Sequence, residues 1–293
     1  MKKILVTGGL GFIGSFLVER LVKLGHHVDV VDDLSTGSME WAIDGPNYYI
    51  SDVVDFCEIG DTDWKYDVIY HLANNARIAL SFEHPQETLI NNYESTVHLL
   101  EKIRKNCSEA ILYFASSSTT EFTDRFNNPY TFSKYVCDEV LSLYNTHYDI
   151  KYNVVKFYNV YGSMREKDLG EYTTVIRKFK KKVLESSAVS VSPLTVYNPE
   201  RRRDFTSIDD TINGLETLLD LDYKYPQVYH IGTGKNFSIQ QIAEAFEHPI
   251  EYFPNERNYE LHTTLSQPNI PGWEATDNVI DHIKEWRRVY APS

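Results

Sequence analysis

Tyr130 and Lys134 stand four residues apart in the run Pro129-Tyr130-Thr131-Phe132-Ser133-Lys134, a spacing that puts both on one face of a helix. Asn127 or Asn128 can cap that helix, and Pro129 suits its first turn. An ammonium beside the phenol can draw a tyrosine hydroxyl down from about 10 toward the working range, which makes Tyr130 a candidate general base. Taken alone, the plainer reading of the pair is a half-buried tyrosine beside a snorkelling lysine. The run Phe114-Ala115-Ser116-Ser117-Ser118 changes the balance. It sets three hydroxyls at the carboxyl end of an apolar stretch, where open α/β sheets place their ligands. A serine there can hold a reacting hydroxyl while Tyr130 removes its proton.

A second constellation is Val6-Thr7-Gly8-Gly9-Leu10-Gly11-Phe12-Ile13-Gly14, between an apolar run and a helical pattern. Glycines let the chain turn tightly and bring backbone N–H groups against a pyrophosphate, and the following helix points its positive end at that anion. Without further support, a turn with no ligand reads equally well. Asp32 and Asp33 supply the support: they end the next apolar run eighteen residues after Gly14, where a carboxylate can accept from both hydroxyls of an adenosine ribose. A 2′-phosphate would be repelled there, and no arginine follows Asp32 to receive it. The cofactor expected is NAD, not NADP.

These groups need elements to position them. Short apolar runs at Ile4 to Thr7, His27 to Val31, Asp67 to His71, Ala110 to Ala115 and Asn153 to Phe157 read as strands. Helical patterns lie at Phe12 to Leu24, Pro85 to Lys105 and Tyr130 to Thr146. The alternation predicts β-α-β units, hence a parallel sheet buried by helices on both faces. After Gly162 the pattern becomes irregular. Gly170 to Leu184 reads as a basic amphipathic helix, and a β-like stretch reaches Tyr197. The cluster Arg201-Arg202-Arg203, in isolation, reads first as a solvated loop.

Composition limits the partners. The 293 residues carry 29 basic and 42 acidic side chains, a formal charge of −13, which disfavours nucleic acid and anionic membrane surfaces. No stretch approaches the roughly 20 apolar residues of a membrane span. Glycines interrupt the N-terminal apolar run, and no small-residue cleavage site follows it. Cys57, Cys107 and Cys137 fit neither a disulfide framework nor a metal site. The expectation is a soluble, cytoplasmic protein without a metal.

Together these segments resemble the extended short-chain dehydrogenase/reductases, in particular the NAD-dependent nucleotide-sugar epimerases and dehydratases. Thr7 to Gly14, Asp32 to Gly37, Asp52-Val53, His71-Leu72-Ala73, Asn92 to Leu100, the serine run and Tyr130 to Lys134 carry the likeness. Asn159-Val160-Tyr161-Gly162, Arg203-Asp204-Phe205 and Ile231 to Gly234 extend it in order. The fold class implied is α/β, a Rossmann doubly wound parallel sheet with a smaller, irregular C-terminal substrate domain. The division implied is residues 1–162 for NAD, with a segment of about 204–234 returning to that domain, and 163–293 for a nucleotide sugar.

The resemblance also implies roles. Gly8, Gly11, Phe12, Ile13 and Gly14 would face the pyrophosphate and Asp32 the adenosine ribose, with Asp33 and Ser35 also among the cofactor-binding residues. Asp52 and Val53 would contact adenine, Leu72, Ala73, Asn74 and Asn92 would border the cofactor, and Tyr158 would lie near the nicotinamide. Ser117 takes the place of the catalytic hydroxyl, with Ser118 as the alternative, beside Tyr130 and Lys134. Asn159, Arg203, Arg257 and Glu260 would grip the nucleotide. The activity implied is 4-epimerisation of a UDP-hexose through a 4-keto sugar. The alternatives are a UDP-glucuronate decarboxylase or related enzyme, and a non-catalytic binding protein. A homodimer is implied through the second and third of those helices, with Leu99, Leu100, Val140 and Leu143 as candidate contacts.

The chain departs from the family in three places. Tyr130 follows Ser117 by only thirteen positions, so a loop that usually helps wall the sugar is missing. Ser118 and Thr119 follow Ser117 where dehydratases place Asp and Glu, and decarboxylases keep a glutamate at the position of Thr119. Lys156 stands where arginine is common.

Overall fold

The computed structural model describes residues 1–59, 64–162, 165, 173–186, 191–221, 225–253 and 263–290. Its main sheet starts with β1 (Lys3–Thr7), β2 (His27–Asp32), β3 (Asn47–Ile50) and β4 (Val68–His71). It is completed by β5 (Ile111–Ser117), β6 (Tyr152–Phe157) and β9 (Gln227–Ile231). The order is β3-β2-β1-β4-β5-β6-β9, and every pair is parallel. This is the doubly wound arrangement of a Rossmann fold.

The apolar runs become strands because both faces of the sheet are covered. Ile4, Leu5 and Val6 are all inaccessible, yet Ile4 and Val6 belong to one core and Leu5 to the other, as alternating side chains require. The first core packs under α1 (Phe12–Lys23) and α8 (Ile208–Thr217). The second lies under α2 (Val53–Glu58), α4 (Pro85–Asn106) and α6 (Pro129–Tyr148), with α3 (Ile78–Glu83) and α5 (Thr119–Phe122) as short connectors. Leu99 and Leu100 are wholly inside this second core, so they are unavailable to a partner subunit. Leu143, with Ile90 and Tyr93, is exposed.

A third core joins α7 (Val175–Glu185), β7 (Leu194–Tyr197), α9 (Ile239–Ala245) and α10 (Val279–Tyr290). Two small sheets belong here: β8 (Arg202–Asp204) with β10 (Asn236–Ser238), antiparallel, and β7 with β11 (Ile250–Phe253), parallel. In α7 the buried set Ile176, Phe179, Lys180 and Val183 has the three- and four-residue spacing of one helix face. Between core passages the chain returns to the main sheet, since β9 pairs with β6. Buried Asp204 fastens the junction by accepting from Thr233 N and Oγ1, Gly234 N, and Ser266 N and Oγ, at 2.5–3.1 Å. Among the described residues no helix is long and apolar enough to cross a membrane.

Candidate active site

A cleft of about 900 Å³ runs along the carboxyl ends of the main-sheet strands and on to the third core. The glycine turn forms its first wall. Gly8 has φ +71°, and a Cβ there would lie 2.8 Å from Ala73 N; a Cβ on Gly14 would lie 2.0 Å from Gly8 O. Gly8 N donates to Val31 O at 2.7 Å, which presses the turn against β2. Gly11 caps α1 and has no side chain to accept from its first amides, so that helix end offers N–H groups to an anion. These are the features a dinucleotide pyrophosphate needs, and the residues fit NAD.

Asp32 lines the cleft but is also built into the turn, accepting from Leu10 N and Leu34 N at 2.9 Å each. Burial pushes its carboxyl above the ordinary range, and those amide bonds oppose the push. Gly11 N bonds the carboxylate as well, and of its about four lone-pair positions one is left for a ribose hydroxyl. Asp33 accepts from Ser35 N and Oγ in a local turn, and Asp52 caps α2 through Val54 N at 2.7 Å. Asp33, Ser35, Asp52, Val53, Leu72, Ala73 and Asn74 all line the cleft.

At the centre, Ser117 ends β5. Its Oγ accepts from Thr119 N and Thr119 Oγ1, at 3.2 and 3.0 Å. Ser118 lies beside it on the wall. Asn128 caps α6 by accepting from Thr131 N at 2.8 Å, which sets Tyr130 in the first turn of the helix and on the cleft wall. Burial pushes the Tyr130 hydroxyl up, while a hydrogen bond from Ser117 and the Arg77 charge pull it down and Asp138 pushes it up.

Lys134 differs from expectation in one respect. Its Nζ donates to Ala115 O at 2.5 Å and lies 4.8 Å from the Phe114 ring centroid. The strand-end carbonyl, not the phenol, takes the ammonium's hydrogen bond. Lys134 therefore sits beneath the cleft instead of in its wall.

Two further expected residues stand behind the wall. Asn92 is inaccessible and braces the site: its amide joins Asn75 N at 2.8 Å and Ser133 Oγ at 2.8 Å. Tyr158 is buried with its hydroxyl on His230 Nδ1 at 2.8 Å. Thr7 Oγ1 and His71 Nδ1, 2.7 Å apart, tie β1 to β4 below the turn. Burial pushes that histidine down to about 3, so it is neutral.

Asn159 and Arg203 line the far end of the cleft, Asn159 donating to Asp204 O at 2.9 Å. Arg257 and Glu260 lie outside the described residues. Sequence reasoning missed Arg77, Lys178, Lys182, Thr195, Tyr197 and Arg201 in the wall. The four-residue spacing of Lys178 and Lys182 on a basic helix was the available signal for two of them. The short link between Ser117 and Tyr130 contains α5, which places Thr119 on the wall.

The pattern of the NAD dependent epimerase/dehydratase family matches residues 4–232. A putative UDP-glucose 4-epimerase of Methanocaldococcus jannaschii is 28% identical, with 96% of each chain covered. A UDP-N-acetyl-alpha-D-glucosaminuronate decarboxylase of Bacillus cytotoxicus is 30% identical over 83% of this chain and 78% of its own. Among solved structures, a UDP-glucose 4-epimerase of Thermotoga maritima with UDP-glucose superposes with a TM-score of 0.85 at 25% identity, covering 98% of this chain and 99% of the other.

Proposed function

The chain belongs to the NAD dependent epimerase/dehydratase family, and on that premise we propose that it is an NAD-dependent nucleotide-sugar 4-epimerase acting on a UDP-hexose. One observation carries the choice of reaction. Among the described residues the carboxylates lining the cleft are Asp32, Asp33 and Asp52, all beside β2 and α2, while Ser117, Ser118, Thr119 and Tyr130 line its centre. Dehydration needs a further acid and base at the sugar, and epimerisation does not.

The glycine turn, with Phe12 and Ile13, holds the pyrophosphate, Asp32 takes the ribose, and Asp52 and Val53 border the adenine. Bound NAD supplies an acceptor and then a donor of hydride at sugar C4. Ser117 orients the C4 hydroxyl, and Tyr130 as phenolate takes its proton and later returns it. Arg203 and Asn159 hold the nucleotide diphosphate while the 4-keto sugar turns its other face. Residues 1–162 with the 204–234 return form the cofactor part, and 163–293 the nucleotide-sugar part. The exposed Ile90, Tyr93 and Leu143 on α4 and α6 support a homodimer, which a monomer mass by light scattering would remove. The absence of a membrane-crossing helix among the described residues is consistent with a cytoplasmic location, testable by cell fractionation.

Proton NMR of the purified protein with UDP-glucose, UDP-galactose, their N-acetyl forms and UDP-glucuronate tests the reading. Interconversion at C4 without CO₂ release is expected, and Tyr130→Phe should slow it by about 10²–10⁴-fold. Release of CO₂ would favour a decarboxylase, and silence across the panel with NAD retained would favour a binding protein.

A further inference from the structure

Tyr130, Lys134 and Asp138 follow one another at intervals of four along α6, so the three share the helix stripe that faces β5 and β6. The middle member is in difficulty. Lys134 is 1% exposed, and burial pushes its ammonium down to about 8. Two groups oppose that push, Cys137 and Asp138. Burial holds the Cys137 thiol above its ordinary range, so it is neutral at physiological pH. Asp138 is the one of the two that can supply a negative charge.

Asp138 carries that charge against its burial, helped by a hydroxyl and two nearby cations. Ser116 Oγ donates to its Oδ2 at 3.4 Å, while Oδ1 is buried with no hydrogen-bond partner. Lys156 sits opposite Ser116 in the β5–β6 ladder. Its Nζ makes its short contacts with Thr120 Oγ1 at 2.7 Å and Glu121 Oε1 at 2.5 Å, and so acts on Asp138 through space. Burial pushes Asp138 up to about 6, Lys156, Lys134 and Ser116 pull it down, and Glu121 pushes it up. Of the other titratable neighbours, His71 on β4 is pushed down by burial, Tyr135 and Tyr152 are pushed up by burial, and Glu139, next in the chain, brings a negative charge that acts on Tyr152. Arg77 acts on Tyr130 from the cleft side.

We infer that Asp138 is a positioning residue for the reaction, its carboxylate keeping the buried Lys134 ammonium charged beneath Tyr130. This rests on the reading of Tyr130 as the base. Near pH 6 Lys134 is charged with or without help. Between pH 7 and 8 the ammonium persists because Asp138 is ionised, and an uncharged residue in its place lets the proton leave at lower pH.

A titration independent of turnover decides the matter. Lysine Cε carbons labelled with ¹³C, with Lys134→Met identifying the resonance, report the Lys134 midpoint by NMR. The midpoint, about 8 in the wild type, should fall by roughly one pH unit in Asp138→Asn and recover in Asp138→Glu. Asparagine keeps an acceptor for Ser116 and removes only the charge; Asp138→Ser gives the same reading if the first variant does not fold. An unmoved midpoint overturns the inference. Turnover adds a second reading. Because the same carboxylate also pushes the Tyr130 hydroxyl up, the kcat ratio of wild type to Asp138→Asn should be at or below one at pH 6. It should rise to about five at pH 8, where about half of the wild-type ammonium and about a tenth of the variant's remains, and approach ten only at higher pH. A ratio independent of pH overturns the positioning role. Absence of turnover in the wild type would defeat the epimerase reading and leave the titration to decide this one.

Discussion

The two ends of the cleft handle anions by different means. At the end beside β2, the lining charges among the described residues are the carboxylates of Asp32, Asp33 and Asp52, and the attraction for phosphate comes from glycine amides at the start of α1. At the other end, Lys178, Lys182, Arg201 and Arg203 bring four cationic side chains from α7 and the β8 region. Backbone donors need only a close approach, so acidic neighbours are tolerated and serve the sugar hydroxyls of the same ligand. Side-chain donors carry full charge and must be gathered from separate elements by a core. A chain of net charge −13 thereby keeps a strongly positive wall at one end alone.

The sharpest way to break this contrast is at Gly14, where an added Cβ would lie 2.0 Å from Gly8 O. Gly14→Ala should strip the purified protein of NAD, measured by chromatography of the released dinucleotide, at a strain of about 1–3 kcal/mol or more. Retention of a full complement would mean that the backbone cradle is not the cofactor site. Next in size, Arg203→Ala should weaken UDP binding by calorimetry about 10- to 100-fold, the worth of one charge-assisted hydrogen bond. Its NAD content should be unchanged; equal loss of both ligands would erase the distinction between the ends. The mildest test is salt. Going from low to high ionic strength should reduce UDP affinity several-fold through screening of the exposed parts of the basic wall, with NAD retention held constant.

The same division governs what could be read in advance. The glycine turn, Asp32 and the Tyr130–Lys134 pair are close in sequence, so periodicity and residue type reveal them. β3 was not legible: four residues of half-exposed Asn47–Ile50, next to Pro46, lack a buried run. The basic wall was only partly legible, since Lys178 and Lys182 reach the cleft through packing of Ile176, Phe179 and Val183 into the third core. The Ala115 carbonyl that takes the Lys134 ammonium is nineteen residues away, and helical spacing alone gives no sign of it. The apolar Leu99 and Leu100 looked suited to a partner because helix periodicity does not tell a sheet-facing stripe from a subunit-facing one.

The return of β9 to the edge of the main sheet, with Asp204 clasping residues 233, 234 and 266 to β8, has a practical corollary for protein engineering. No single splice point would carry the basic half onto a foreign scaffold, because any cut between β6 and α10 leaves one half holding a piece of the other. Retargeting this protein is therefore a matter of replacing individual side chains along α7 and β7, with the polypeptide's route left intact.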